Sequence, residues 1–112
     1  MKGHMIYLAC PYSHESAEVR AERAKAADDM MAQMLEEGYL VFSPITHSHS
    51  VAETYGIDNP AQWLAIDLRI LAVCDEMVVL KLPGWEESAG IGKEVRVAQL
   101  MDIPIAYIEY SD

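Results

Sequence analysis

Apolar and polar positions alternate along this chain in two rhythms. Short, nearly continuous apolar runs have the length and the β-branched and aromatic content of buried strands: MIYLA (Met5–Ala9), YLVFSP ending at Pro44, EMVVLKL and IPIAYIE. Between them, apolar residues return every three or four positions, the period of an amphipathic helix. From about Glu15 to Glu37, Val19, Ala27, Met30, Met31 and Met34 share one side, and Gly38 follows as a C-terminal stop. The methionine cluster reads as core or helix–helix contact. Asp58-Asn59-Pro60 offers a capping side chain and then a proline in the first turn, the start of a helix to about Val73. A further helix runs from Ser88 to about Met101. ITHSHS reads as a polar loop, with at most a short helical turn before Gly56, and PGWEE as the exit loop of the third strand.

Strands alternating with helices as βαβαβαβ predict a parallel sheet with helices on both faces. Right-handed crossovers restrict its topology, and the order 2-1-3-4 is expected. The whole chain, 1–112, then forms a single α/β domain, a small flavodoxin- or Rossmann-like three-layer fold with a four-stranded parallel sheet. No repeat, low-complexity segment or linker interrupts it. In such sheets ligands bind beyond the C-terminal strand ends, at the switch point between the first and third strands. The loops leaving those ends are CPYSH, SPITHSH and LPGWEES, and they carry most of the reactive side chains.

Composition narrows the classes of partner. Hydrophobic residues make up 52% of the 112, enough for a core. A net charge of −10 argues against a nucleic-acid polymer, which needs a basic footprint, but not against one small phosphate held by backbone N–H groups. No run approaches the roughly 20 apolar residues of a membrane span. MKGHMIYLAC is too short for a signal peptide and lacks its ordered regions. Cys10 and Cys74 form neither a CxxC pair nor a metal-ligand spacing, so a reduced, cytoplasmic setting is expected. His47 and His49 without a third ligand are a poor metal signal, so they read as ligand contacts or as loop polarity, and no metal is expected.

The candidate chemistry gathers in a few places. In SAGIGKE, Ser88 suits an N-cap, and Gly90 lies on the same helix face as Glu94. An absent side chain at Gly90 leaves the space above Glu94 open, and Gly92 permits close backbone approach on an adjacent side. The glycines either clear a floor for a ligand with a phosphate at the helix N-terminus or allow tight packing of helix on sheet with Glu94 merely exposed. Asp67 lies four residues after Trp63, three before Ile70 and four before Leu71, inside an apolar stripe. A carboxylate there is paired, neutralised or facing a cavity: either a hydrogen-bonded structural acid or a pocket acid with a raised pKa. Tyr7 on the first strand is a core residue or one whose hydroxyl orients a carboxylate. Pro11, Tyr12, Ser13 and His14 leave the same strand end, where a turn can contact ligand. Asp75 begins the third strand at the far end of the sheet and reads as structural. Glu86 and Glu87 favour the following helix dipole, with a second pocket acid as the other possibility.

Taken together, IYLACPY, a helical Asp67 before CDEMVVL, and S-x-G-x-G-x-E at 88–94 resemble the nucleoside 2-deoxyribosyltransferase superfamily, including its 2′-deoxynucleoside 5′-monophosphate N-glycosidase branch. The resemblance spans nearly the whole chain in motif order. It implies that Glu94 is the nucleophile at C1′ of the sugar, that Asp67 assists protonation or positioning of the base, and that Tyr7 orients the glutamate. Typical deoxyribosyltransferases have aspartate six residues before the glutamate, whereas the monophosphate hydrolases have a phosphate-contacting serine. Ser88, followed by Gly90 and Gly92, leans toward hydrolysis. The hydrolase branch also carries a phosphate-binding arginine in its first loop, where CPYSH offers only Ser13 and His14. The family borrows a residue from a neighbouring subunit near the C-terminus, and no residue of YIEYSD is matched to it.

The expectation is therefore an enzyme, an N-glycosidase or deoxyribosyltransferase acting on a small nucleoside or nucleotide without metal or organic cofactor, and a homo-oligomer by the same resemblance. The substrate-binding set is Ser88, Gly90, Gly92, Pro11, Tyr12, Ser13, His47 and His49, around the catalytic Glu94, Asp67 and Tyr7. The alternative is a non-catalytic protein that binds or sequesters a nucleotide on the same fold.

Overall fold

The computed structural model describes residues 4–110. The elements are β1 (Met5–Ala9), α1 (Ala17–Glu36), β2 (Leu40–Phe42), α2 (Pro44–Tyr55), α3 (Pro60–Leu71), β3 (Glu76–Lys81), a single 3-10 turn at Trp85–Glu87, α4 (Ala89–Leu100) and β4 (Ile105–Glu109). All strand pairs are parallel and the order is β2-β1-β3-β4, as the alternating pattern predicts. Helices cover both faces, giving a Rossmann-like three-layer fold.

The period of two in β1 divides the core. Ile6, Leu8 and Cys10 join Val78, Leu80 and Leu82 of the β3 region on one face, packed by Ala24, Ala27 and Met34 of α1. Tyr7 and Ala9 join Met77 and Val79 on the other, packed by Leu71 of α3 and by Ile91 and Ala98 of α4. Met30 and Met31 pack against the first cluster, so the methionines are core. At the far end of the sheet, the Asp75 Oδ2 accepts the Met5 N–H at 2.7 Å, the structural role expected of it. Lys81 pairs with Glu109 beside Trp85, whose ring lies 5.6 Å from that of Tyr107.

One segment departs from the sequence reading. ITHSHS is not a loop; it lies within the 12-residue helix α2, Pro44–Tyr55. Ser43 caps it through the Thr46 N–H at 3.4 Å, Pro44 occupies the first turn, and Gly56 ends it in the left-handed conformation at φ 63°. These are ordinary start and stop signals. They were masked by a polar composition that resembles a loop. The same cap shortens β2, which stops at Phe42 rather than at Pro44. The architecture accordingly has two helices, α2 and α3, between β2 and β3. A hydrogen bond from the Trp63 Nε1 to the Ile57 carbonyl at 3.2 Å fastens the first turn of α3 to the connection that precedes it.

Candidate active site

β1 is the inner strand beside the switch point, and Tyr7 sits in register with Phe42 of β2 and Met77 of β3. Its side chain is fully buried, and its hydroxyl donates a short hydrogen bond to the Glu94 carboxylate. Glu94 itself is only 6% exposed, which removes the reading of it as a surface residue. α4 brings it there because Ile91, Glu94 and Ala98 share one helix face, and the apolar members of that face seat the helix on the sheet. Burial raises the Glu94 carboxyl to about 7; the Tyr7 hydrogen bond opposes that rise and the charge of Asp67 adds to it. Burial, followed by the Glu94 charge, pushes the Tyr7 phenol far above its ordinary range, so Tyr7 acts only as a neutral donor.

Asp67 comes from α3. Its Oδ1 is buried and has no hydrogen-bond partner among the described residues, and burial raises its carboxyl to about 6, with His47 pulling the other way. An unpartnered buried carboxyl oxygen costs roughly 1–3 kcal/mol or more. The described residues therefore do not supply the hydrogen bond that the structural reading of this acid requires at Oδ1. Its charge reaches both Glu94 and Tyr7. His47, exposed on α2, completes this side, its ring 5.7 Å from that of Phe42, which in turn lies 6.1 Å from Tyr7.

The helix that replaces the expected loop separates the histidines. Positions two apart on a helix point in nearly opposite directions. While His47 turns toward Phe42 and Asp67, the His49 Nδ1 lies 2.7 Å from the Tyr12 hydroxyl. Tyr12 also donates to Glu53 at 3.1 Å, and Arg20 binds the same carboxylate at 2.8 Å. Tyr12 and His49 thus bond to one another, and Tyr12 to Glu53 of α2, not to the Tyr7–Glu94 pair. Among the described residues, no group of three or more His, Cys, Asp or Glu side chains is arranged to hold a metal ion.

Ser88 is the N-cap of α4, accepting the Ile91 N–H at 3.2 Å. A Cβ at Gly90 would touch only the Ser88 Oγ, at 3.8 Å, so open space lies over that turn. Nothing lies within 4 Å of a Cβ at Gly92, so the expected close backbone approach there is absent. Gly92 instead borders a shallow groove with Arg96 and Gln99. Pro11 is buried, Ser13 is exposed, and the His14 Nδ1 accepts the Ser16 N–H at 2.9 Å. Glu86 and Glu87 are exposed in the 3-10 turn and contribute no second pocket acid.

Three residues near this site escape sequence reasoning: Phe42, Arg20 and Arg23. Phe42 is visible only once strand register is known. The arginines lie in the first two turns of α1, and helical side chains lean toward the N-terminus, which carries them back onto the β1–α1 loop. Arg23 donates to the Ser13 carbonyl at 3.1 Å and Arg20 to the His14 carbonyl at 2.6 Å.

What fold and geometry define is a Rossmann-like α/β protein with a buried carboxyl held by a buried tyrosine and a half-buried carboxyl near it, on one face of the sheet. Residues 4–110 match the family model described as Domain of unknown function (DUF1937), and the chain belongs to that family. No curated protein matches the chain. Ser111 and Asp112, at the end of the stretch where the resemblance expects a residue shared between subunits, lie outside the described residues. Among the described residues no helix is long and apolar enough to cross a membrane.

Proposed function

We propose that this protein cleaves the N-glycosidic bond of a small deoxynucleoside or nucleoside 5′-monophosphate, with hydrolysis favoured over base transfer. The observation that carries this reading is the pairing of buried Glu94, held by Tyr7, with half-buried Asp67, whose buried Oδ1 has no partner among the described residues. The resemblance of the S-x-G-x-G-x-E stretch supplies the substrate class.

With values of about 7 for Glu94 and about 6 for Asp67, the free protein keeps a proton on the pair up to near neutral pH, more on Glu94 than on Asp67. Attack requires the proton to pass from Glu94 to Asp67 as substrate binds, a shift that the Tyr7 hydrogen bond favours by stabilising the Glu94 carboxylate. A Glu94 oxygen then bonds to C1′ as the C1′–N bond breaks, and the electron pair leaves with the base, which takes its proton from Asp67. Glycosyl transfer of this kind passes through an oxocarbenium-like transition state that a close carboxylate stabilises. Water next attacks C1′ and gives its proton to the Asp67 carboxylate, while the bond to Glu94 breaks and restores both groups. A base as acceptor in place of water gives transfer. The open space at Gly90 leaves room for substrate beside the helix N-terminus. A homo-oligomer remains part of the proposal, supported by the largely exposed Val73 and Leu100 just beyond α3 and at the end of α4.

The test is release of free base, read by liquid chromatography, from a panel of deoxynucleosides and their 5′-monophosphates, with and without an acceptor base. Release that falls by about a thousandfold or more in Glu94→Ala supports the reading. Nucleotide-induced thermal stabilisation with no base release from any substrate would replace it with the non-catalytic binder.

A further inference from the structure

The two arginines of α1 hold successive carbonyls of the β1–α1 loop and tie each to a different neighbour. Arg20 links the His14 carbonyl to α2, through Nε and Nη2 bonds to Glu53 at 2.8 and 3.2 Å. Arg23 links the Ser13 carbonyl to the β3–α4 loop: its Nη1 donates to Ser13 and its Nη2 to the Pro83 carbonyl, both at 3.1 Å. Ser13 and Pro83 follow adjacent parallel strands at the same, C-terminal, end of the sheet. Gly84, next to Pro83, has φ 91°, and a Cβ there would stand 2.8 Å from the Arg23 Nη2. The left-handed turn favours glycine at this position, and a side chain there would press on the far end of Arg23, which would have to shift. From Gly84 the chain continues through the 3-10 turn to Ser88, the cap of the helix that carries Glu94. A planar guanidinium can span two carbonyls with separate N–H groups, whereas a lysine ammonium is a single point on a flexible stem.

We propose that Arg23 is a positioning residue that joins the β1–α1 loop and the β3–α4 loop into one wall at the mouth of the candidate site, so that the two loops open together when it is removed. The wall does not depend on the glycosidase reading; only its consequence for substrate rests on that reading. A loosened wall lets the mouth sample more arrangements while the Tyr7–Glu94 pair, anchored in the core, stays in place.

Hydrogen–deuterium exchange of the substrate-free protein tests this directly, comparing wild type with Arg23→Met and Arg23→Lys. In Arg23→Met, amides at 12–16 and at 84–88 are expected to exchange about tenfold faster in both segments at once, with β1, β3 and the second half of α4 unchanged and Arg23→Lys intermediate. Acceleration in one segment only, or in neither, overturns the proposal. If Arg23→Met does not fold, the same criterion applied to Arg23→Lys decides. Where wild type releases base, Arg23→Lys should raise KM about tenfold and leave kcat within about threefold; a fall in kcat at constant KM overturns the positioning role. Absence of base release in wild type counts against the glycosidase reading, and the exchange result still decides the wall.

Discussion

Ile6 and Tyr7 are neighbours on one strand, yet they face opposite kinds of interior. The face shared by Ile6, Leu8 and Cys10 is closed by the alanines and methionines of α1 and, among the described residues, holds no buried carboxyl. The face shared by Tyr7 and Ala9 is closed by Leu71, Ile91 and Ala98, and into that lining α4 inserts Glu94 while α3 brings Asp67 beside it. Apolar burial of the first kind stabilises at every pH. Burying carboxyls opposes folding whenever they are charged, and only a gain elsewhere, in ligand binding or chemistry, accounts for keeping them there.

The largest difference should come from substituting one residue on each face. Leu8→Ala on the closed face is expected to cost about 3 kcal/mol in urea unfolding, because Leu8 is fully buried and its cavity would be lined by apolar neighbours. Its effect on base release should follow only the folded fraction. A specific loss of turnover in fully folded Leu8→Ala would break the division between the faces.

Glu94→Gln should do the opposite. A carboxyl whose pKa is raised by folding keeps its proton after the unfolded chain has lost it, so stability falls as pH rises. For Glu94 that fall spans the interval from the ordinary 4.5 to about 7. The glutamine variant lacks this dependence. It is expected to be about 2 kcal/mol more stable than wild type at pH 8 and to lose that advantage near pH 4.5. Equal stability at both pH values would show that Glu94 is solvated. Asp67→Asn should shift stability in the same sense but by less, since Asp67 is only half-buried.

Smaller effects probe the N-terminus of α4. Ser88→Ala removes the hydroxyl that accepts the Ile91 N–H, at an expected cost of about 1 kcal/mol. Gly90→Ala should raise stability by up to about 1 kcal/mol, since the helix gains a better former and the new methyl meets only the Ser88 Oγ. If the open space there serves a ligand, nucleotide affinity measured by calorimetry should fall in the same variant. A stabilised Gly90→Ala with undiminished affinity would place the ligand elsewhere.

The sheet order and the long helices were legible because periodicity reports burial directly. The catalytic candidates were legible as exceptions to that periodicity: a carboxylate in the apolar stripe of α3, and two glycines ahead of an acid in α4. α2 was not, because Ser, Thr and His fill its exposed face and outweighed the capping serine, the Pro44 start and the Gly56 stop. That error also paired His47 with His49, which a helix sets apart. Asp67 could be placed on the apolar side from spacing, but its unpartnered Oδ1 depends on three-dimensional packing. The roles of Arg20 and Arg23 depend on carbonyls of loops distant in sequence, which no local pattern records.

Trp63 and Trp85 give this arrangement an optical consequence. Trp63 lies one helical turn before Asp67 and is tied to the Ile57 carbonyl, whereas Trp85 sits three residues before Ser88, beside Tyr107 and Lys81. They are the only two tryptophans in the chain. Intrinsic fluorescence therefore reports from two elements that carry site residues, without an added dye. Replacing either indole by phenylalanine isolates the emission of the other, so that the helix of Asp67 and the approach to the helix of Glu94 can be followed separately as substrate is titrated.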